Sequence, residues 1–155
     1  MHHIPDLHKD ILLCCSDDEV GLWEVVWNVT RDLVNQQPGG GELLSKMAPR
    51  PWDAELGAQL AERKRAIDPN LVREKVLHIV RDLLDAGLID AGFPADHGRW
   101  ESWNLSPAET MSRIEAEWDA LGHPPTIGDI VWFVSTIEGD RVLAKDAERN
   151  TAHES

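Results

Sequence analysis

The sequence has no tyrosine, only two cysteines, and far fewer basic than acidic residues, 15 against 28. The cysteines are neighbours, Cys14 and Cys15, a spacing that favours neither a disulfide nor a CxxC metal motif. Both are therefore predicted to be free thiols on a helix, with one of them buried. Because no apolar run approaches the ~20 residues of a membrane span, no membrane partner is expected.

The length of 155 residues suits one domain with appendages. A chain of this size buries roughly 70% of its unfolded surface, so it needs neither disulfides nor a metal to fold. The first residues have no basic region and no apolar stretch of the kind that marks a signal peptide. We therefore expect a cytoplasmic protein.

The formal net charge of −13 opposes attraction to nucleic acid phosphates and to anionic membranes. This charge is uneven along the chain. Residues 46–81 contain eight basic and five acidic residues, a net charge of +3, whereas the segments on either side are strongly acidic. The net-basic segment lies before and within the helix that is predicted at residues 71–86.

Local patterns divide the first third of the chain into two parts. Residues 1–35 are predicted to form N-terminal helices, the second of which begins at a capping box, Ser16-x-x-Glu19. Residues 36–51 are predicted to form a flexible linker or loop, because a proline and three consecutive glycines cannot continue a helix. A surface helix with a narrow apolar face is expected at residues 52–67.

The clearest helical periodicity follows Asp68 and Pro69, which favour the N-cap and the first turn of a helix. This helix is predicted to end at Gly87, where a left-handed residue and then Leu88 would complete a Schellman motif. Residues 88–91 and 100–105 are expected to form a hairpin. The capping box that begins at Ser106 predicts a further helix up to residue 121.

The C-terminal part is predicted to contain a terminal β-hairpin at residues 122–145 and a frayed tail at residues 146–155. Ile130 to Val134 favours a strand by β-branching, although Thr126-x-x-Asp129 leaves a helix open. The expected fold class is α+β. It comprises a mostly helical core at residues 52–121 with a wing hairpin, an additional C-terminal helix and a terminal β-hairpin.

Two motifs carry a resemblance to a known fold. Leu83-Leu84-Asp85-Ala86-Gly87-Leu88-Ile89 resembles the exit of the recognition helix in winged helix-turn-helix regulators. Asn104-Leu105-Ser106-Pro107-Ala108-Glu109 resembles the step from the wing to the next helix. The resemblance spans residues 18–121 and implies that residues 71–86 are a recognition helix. It leaves the function open, because a fold alone does not determine what a protein does.

The resemblance makes a DNA-binding transcriptional regulator the alternative function. Such a regulator would form a homodimer through residues 19–34 or 107–121. Acidic residues at the wing, Asp96 and Glu101, oppose contact with phosphates and disfavour nucleic acid as the partner. The basic residues that could bind DNA are Arg63, Lys64, Arg65, Arg73, Lys75 and Arg81.

The leading function is a non-enzymatic, acidic module that binds a protein partner, with a basic partner favoured by the charge. Tryptophan is enriched at interface hot spots, and this chain has seven. Trp100 and Trp103 differ by an odd number on one strand, so one faces the core and the other is exposed. Together with Trp52 in a loop, they are the predicted partner-binding residues.

The sequence contains no catalytic motif, no phosphate-binding loop and no recognisable metal motif. No two of the seven histidines lie at the i, i+4 spacing that places two ligands on one helix face. His2 and His3 are expected in a disordered tail. We therefore predict no enzymatic activity, no cofactor and no metal site.

Overall fold

The computed structural model describes residues 4–154, and the side chains of residues 4–149. His2 and His3 lie outside the described residues. Within these residues the chain forms an α+β fold with seven helices and a four-stranded antiparallel sheet, which confirms the predicted class. The elements are α1 (Asp6–Asp17), β1 (Val20–Gly21), α2 (Leu22–Gln36), α3 (Gly40–Met47), α4 (Ala54–Arg65), α5 (Pro69–Asp85), β2 (Ile89–Ala95), β3 (Arg99–Ser102), α6 (Pro107–Leu121), β4 (Trp132–Ser135) and α7 (Ile137–Glu154).

Helix α5 and the hairpin β2–β3 follow one another as predicted. The Asp68 side chain caps α5 by accepting a hydrogen bond from the backbone N–H of Asn70. At the other end Gly87 has a φ of +72°, and the N–H of Leu88 donates to the carbonyl of Leu83 over 2.9 Å. The predicted Schellman end of this helix is therefore confirmed.

The sheet has the strand order β1-β4-β2-β3. Val20, Phe133 and Ala91 lie in register across three strands, and all three side chains are buried. This face packs into one main core with residues of α1, α2, α5 and α6. A smaller apolar cluster joins α2, α3 and α4 through Val34, Leu43 and Leu60.

The predicted helix start at Ser16 is wrong. Helix α1 continues through Asp17, and a short strand, Val20–Gly21, precedes α2. The backbone N–H of Gly21 donates to the Glu24 carboxylate over 3.0 Å, so the cap lies five residues later than predicted. The reason is tertiary, because β1 pairs with β4 more than a hundred residues away.

The segment 36–51 is not a continuous flexible loop, since it contains the helix Gly40–Met47. Gly39, with a φ of +76°, makes the turn between α2 and α3. Leu43 is buried in the smaller cluster, and this burial stabilises a helix that the glycine-rich sequence disfavours.

The predicted terminal hairpin and frayed tail are also wrong, although Trp132–Ser135 is a strand. Residues 137–154 form helix α7, whose Gly139 N–H donates to the Thr136 hydroxyl. A Cβ at Gly139 would lie 2.2 Å from the carbonyl oxygen of Leu88, so glycine permits close helix packing here and does not make a turn. Within this helix Asp146 is buried and forms an ion pair with Lys9.

Candidate interaction surface on the sheet

The sheet has a second face, opposite the core, whose side chains are mostly half-exposed. We call this surface the outer sheet face. Residues directly opposite one another in antiparallel strands share a face, so the register defines its members. They are Gly21, Asp90, Gly92, Pro94, Trp100, Ser102, Trp132 and Val134.

Three tryptophans lie along this face. Trp132 lies on the inner strand β4, directly between Gly21 and Gly92 of the neighbouring strands. A Cβ at Gly21 would lie 2.7 Å from the ring of Trp23, and a Cβ at Gly92 would lie 2.9 Å from Cζ2 of Trp100. The two glycines therefore leave room for indole rings that lie across the sheet. We call Trp23, Trp132 and Trp100 the tryptophan row.

The carboxylate of Asp90 lies beside this row. The indole Nε1–H of Trp100 donates to one of its oxygens over 2.8 Å, and the Ser102 hydroxyl donates to the other over 3.1 Å. These bonds hold both the ring and the carboxylate in place. A carboxylate has about four acceptor positions, so Asp90 can still accept hydrogen bonds from a cationic donor.

The structure separates the three tryptophans that sequence reasoning selected. Trp100 lies on the outer sheet face, whereas Trp103 packs against the main core with the Arg113 guanidinium 3.8 Å from its ring centroid. This confirms the predicted opposite orientations. Trp52 is 77% exposed in the turn before α4, a helix that packs on α2 and α3.

Sequence reasoning missed two members of the tryptophan row. Trp132 lies in an apolar run, a position that favours core packing, but its neighbours Val131 and Phe133 occupy the buried face. Period-2 alternation within the predicted strand was therefore a usable signal. Trp23 gave no such signal, because its place depends on the pairing of β1 with β4.

Two of the three basic residues of α5 lie against carboxylates of α6. Arg73 forms an ion pair with Asp119 of α6 over 2.6 Å, and Arg81 lies 3.9 Å from Glu115 of the same helix. These contacts place positions 73 and 81 on the same side of α5, facing α6. They also leave neither guanidinium free of a nearby carboxylate.

The basic residues of α4 make other contacts. The Lys64 ammonium lies 4.0 Å from the centroid of the Trp27 ring, and burial lowers its pKa. Arg63 donates to the carbonyl of Pro38 over 3.0 Å. Lys64 and Arg73 line one hollow of about 360 Å³, whereas Lys75 lines another. These contacts divide the basic residues among separate parts of the surface.

Helix α5 has no net positive charge. Its surface carries three carboxylates and three basic residues, namely Glu74, Asp82 and Asp85 with Arg73, Lys75 and Arg81. At the hairpin Asp96 and Glu101 are exposed as well. The helix therefore offers no excess of positive charge to a phosphate backbone, and the carboxylates at the hairpin oppose its approach.

No protein-family model, curated protein or solved structure matches this chain. In the part of the chain that the structure describes, none of the helices combines the length and apolar character needed to cross a bilayer. The geometry of the outer sheet face is therefore the basis for a functional assignment.

Proposed function

We propose that this protein is a non-enzymatic interaction module that binds a basic protein partner through its outer sheet face. The observation that carries the proposal is the tryptophan row beside Asp90. Three indoles lie on one half-exposed sheet surface, and two glycines make space for them. Packing of the core does not explain this arrangement, because the buried side chains lie on the other face of the sheet.

Indole rings with an adjacent carboxylate suit a guanidinium ion. Arginine stacks on tryptophan by cation–π attraction and donates paired hydrogen bonds to carboxylates. A cation–π contact of this kind already exists within the chain, where the Arg113 guanidinium lies over the Trp103 ring. The Asp90 carboxylate would supply the second contact to an arginine of the partner.

The charge of the chain supports a protein partner over nucleic acid. With a net charge of −13 the long-range field attracts a basic protein and repels DNA. The lack of net positive charge on α5 supports the same choice. The free thiols of Cys14 and Cys15 suit a reducing compartment, so the cytoplasm remains the expected location.

The test is affinity capture from lysate of the native cells, with and without nuclease. Trp100→Ala is compared with Trp52→Ala, which removes an exposed tryptophan outside the sheet. We expect one basic protein on the wild type and on Trp52→Ala in both nuclease conditions. Loss of a hot-spot tryptophan costs about 2 kcal/mol or more, so Trp100→Ala should weaken binding at least ~30-fold.

Two further variants separate binding from folding. Trp100→Phe keeps an aromatic ring but loses the donor to Asp90, and Asp90→Asn removes the charge. Both should weaken capture while the circular dichroism spectrum stays native. Equal capture by all the sheet variants contradicts the proposal, and so does DNA that is recovered only without nuclease.

A further inference from the structure

Two histidines and an aspartate converge between helices α1 and α5. His8 belongs to α1, and His78 and Asp82 lie one turn apart on α5. Nε2 of His8 is 2.9 Å from Oδ2 of Asp82, and Nε2 of His78 is 3.2 Å from the same oxygen. One ligand atom of each residue lies within 4.8 Å of those of the other two.

The cluster is anchored on one side and open on the other. The His8 side chain is 13% exposed, whereas those of Asp82 and His78 are 46% and 68% exposed. The imidazole rings of His8 and His78 meet edge to face at 6.0 Å. A small ion can therefore reach ligand atoms that the two helices already hold together.

The two separations from Oδ2 of Asp82 are close to those in a zinc site. Zinc bonds of about 2.0 Å in a tetrahedral arrangement place neighbouring ligand atoms about 3.3 Å apart. The two distances to Oδ2 of Asp82 differ from this value by a few tenths of an ångström. The ligand atoms of the two histidines lie within 4.8 Å of each other, so side-chain rotations would have to bring this pair closer for all three to reach one ion.

We propose that His8, His78 and Asp82 form a binding site for a divalent transition metal ion of the zinc class. Two imidazoles and one carboxylate are ligands of intermediate softness, which favour zinc over magnesium or calcium. Three protein ligands leave one position for water. In the bound form each imidazole is neutral, binds the ion through the lone pair of Nε2 and carries its single proton on Nδ1.

The bound ion joins α1 to α5. His8 lies seventy residues from His78, so the metal adds a long-range link to the N-terminal helix. An ion that binds only the folded chain raises its stability by mass action. Sequence reasoning missed this site because it searched for histidine pairs. The sequence did contain one usable signal, since His78 and Asp82 lie at the i, i+4 spacing that places two ligands on one helix face. No local pattern indicated that His8 would join them.

The test is calorimetric titration of metal-free, untagged protein with ZnCl₂, and with MgCl₂ in parallel. We expect one zinc ion per chain and no magnesium binding. The loss of a group that merely supports a ligand weakens metal affinity 10- to 100-fold, so loss of a ligand in His78→Ala should weaken it at least ~100-fold. Zinc at ~100 times its Kd should raise the Tm by roughly 5–10 °C.

His78→Ala changes an exposed side chain and should fold normally, and His8→Gln provides a second variant at the anchored position. His123→Ala removes an exposed histidine outside the cluster and should bind zinc like the wild type. The double variant His2→Ala, His3→Ala tests the terminal histidines. The proposal is overturned if zinc does not bind, or if His78→Ala retains binding that the double variant loses.

Discussion

Gly92→Ala tests the packing on which the tryptophan row depends. The added Cβ would lie 2.2 Å from the carbonyl oxygen of Glu101 and 2.9 Å from Cζ2 of Trp100. The first contact is with the backbone of the adjacent strand, which a side-chain rotation cannot relieve. Strand β3 must move away from β2, and the Trp100 ring must leave its position.

The cost has two main parts. Overpacking of this kind costs about 1–3 kcal/mol. Displacement of the ring also removes the hydrogen bond from Trp100 to the Asp90 carboxylate, worth about 1.5–3 kcal/mol for a charged acceptor. The reduced freedom of alanine in the unfolded chain returns about 0.4–1 kcal/mol. We therefore expect Gly92→Ala to lower the free energy of unfolding by roughly 2–5 kcal/mol.

Urea denaturation followed by tryptophan fluorescence measures this difference. Gly57→Ala is the matched control, because a Cβ at Gly57 meets no atom within 4 Å in helix α4. Alanine is the better helix former, so Gly57→Ala should stabilise the protein by up to about 1 kcal/mol. If Gly92→Ala unfolds at the wild-type urea concentration, Trp100 does not lie against Gly92 and the reasoning is refuted.

Two titratable sites yield further predictions. Burial raises the pKa of Cys15 to about 12, so an alkylating reagent at pH 8 should modify exposed Cys14 first and Cys15 only on unfolding, as mass spectrometry of the peptides would show. Hydrogen bonds from the hydroxyls of Ser135 and Ser16 lower the pKa of Asp140. A carboxyl whose pKa is lowered by folding contributes stability that is fully present above its unfolded pKa of about 3.9. This contribution is lost as the pH falls through the folded pKa. Asp140→Ala should therefore be less stable than wild type at pH 7, and urea titrations should show the difference shrinking below about pH 4.

Local signals predicted the parts of the fold that local chemistry determines. Helix α5 starts at the Asp68 cap and ends at Gly87, as the cap and Schellman rules require. The cap at Ser106 accepts a hydrogen bond from the Glu109 N–H, which confirms the start of α6. In each case the stabilising contacts lie within a few residues in sequence.

The errors arise where distant residues decide the local structure. Val20 and Gly21 form a strand because β4 pairs with them, and residues 40–47 form a helix because Leu43 is buried. Gly139 resembles a turn residue in sequence, but it lies against the carbonyl of Leu88 in a helix. The candidate surface follows the same rule, because the tryptophan row assembles three separate segments of chain.

Side-chain footprinting with hydroxyl radicals tests the central claim most directly. The captured partner is added, and oxidation of each tryptophan is measured by mass spectrometry in the free and bound states. If the partner binds the outer sheet face, Trp100 and Trp132 are protected from oxidation in the bound state, while Trp52 oxidises at the same rate in both states. Protection of Trp52 with unchanged oxidation of Trp100 and Trp132 would contradict it.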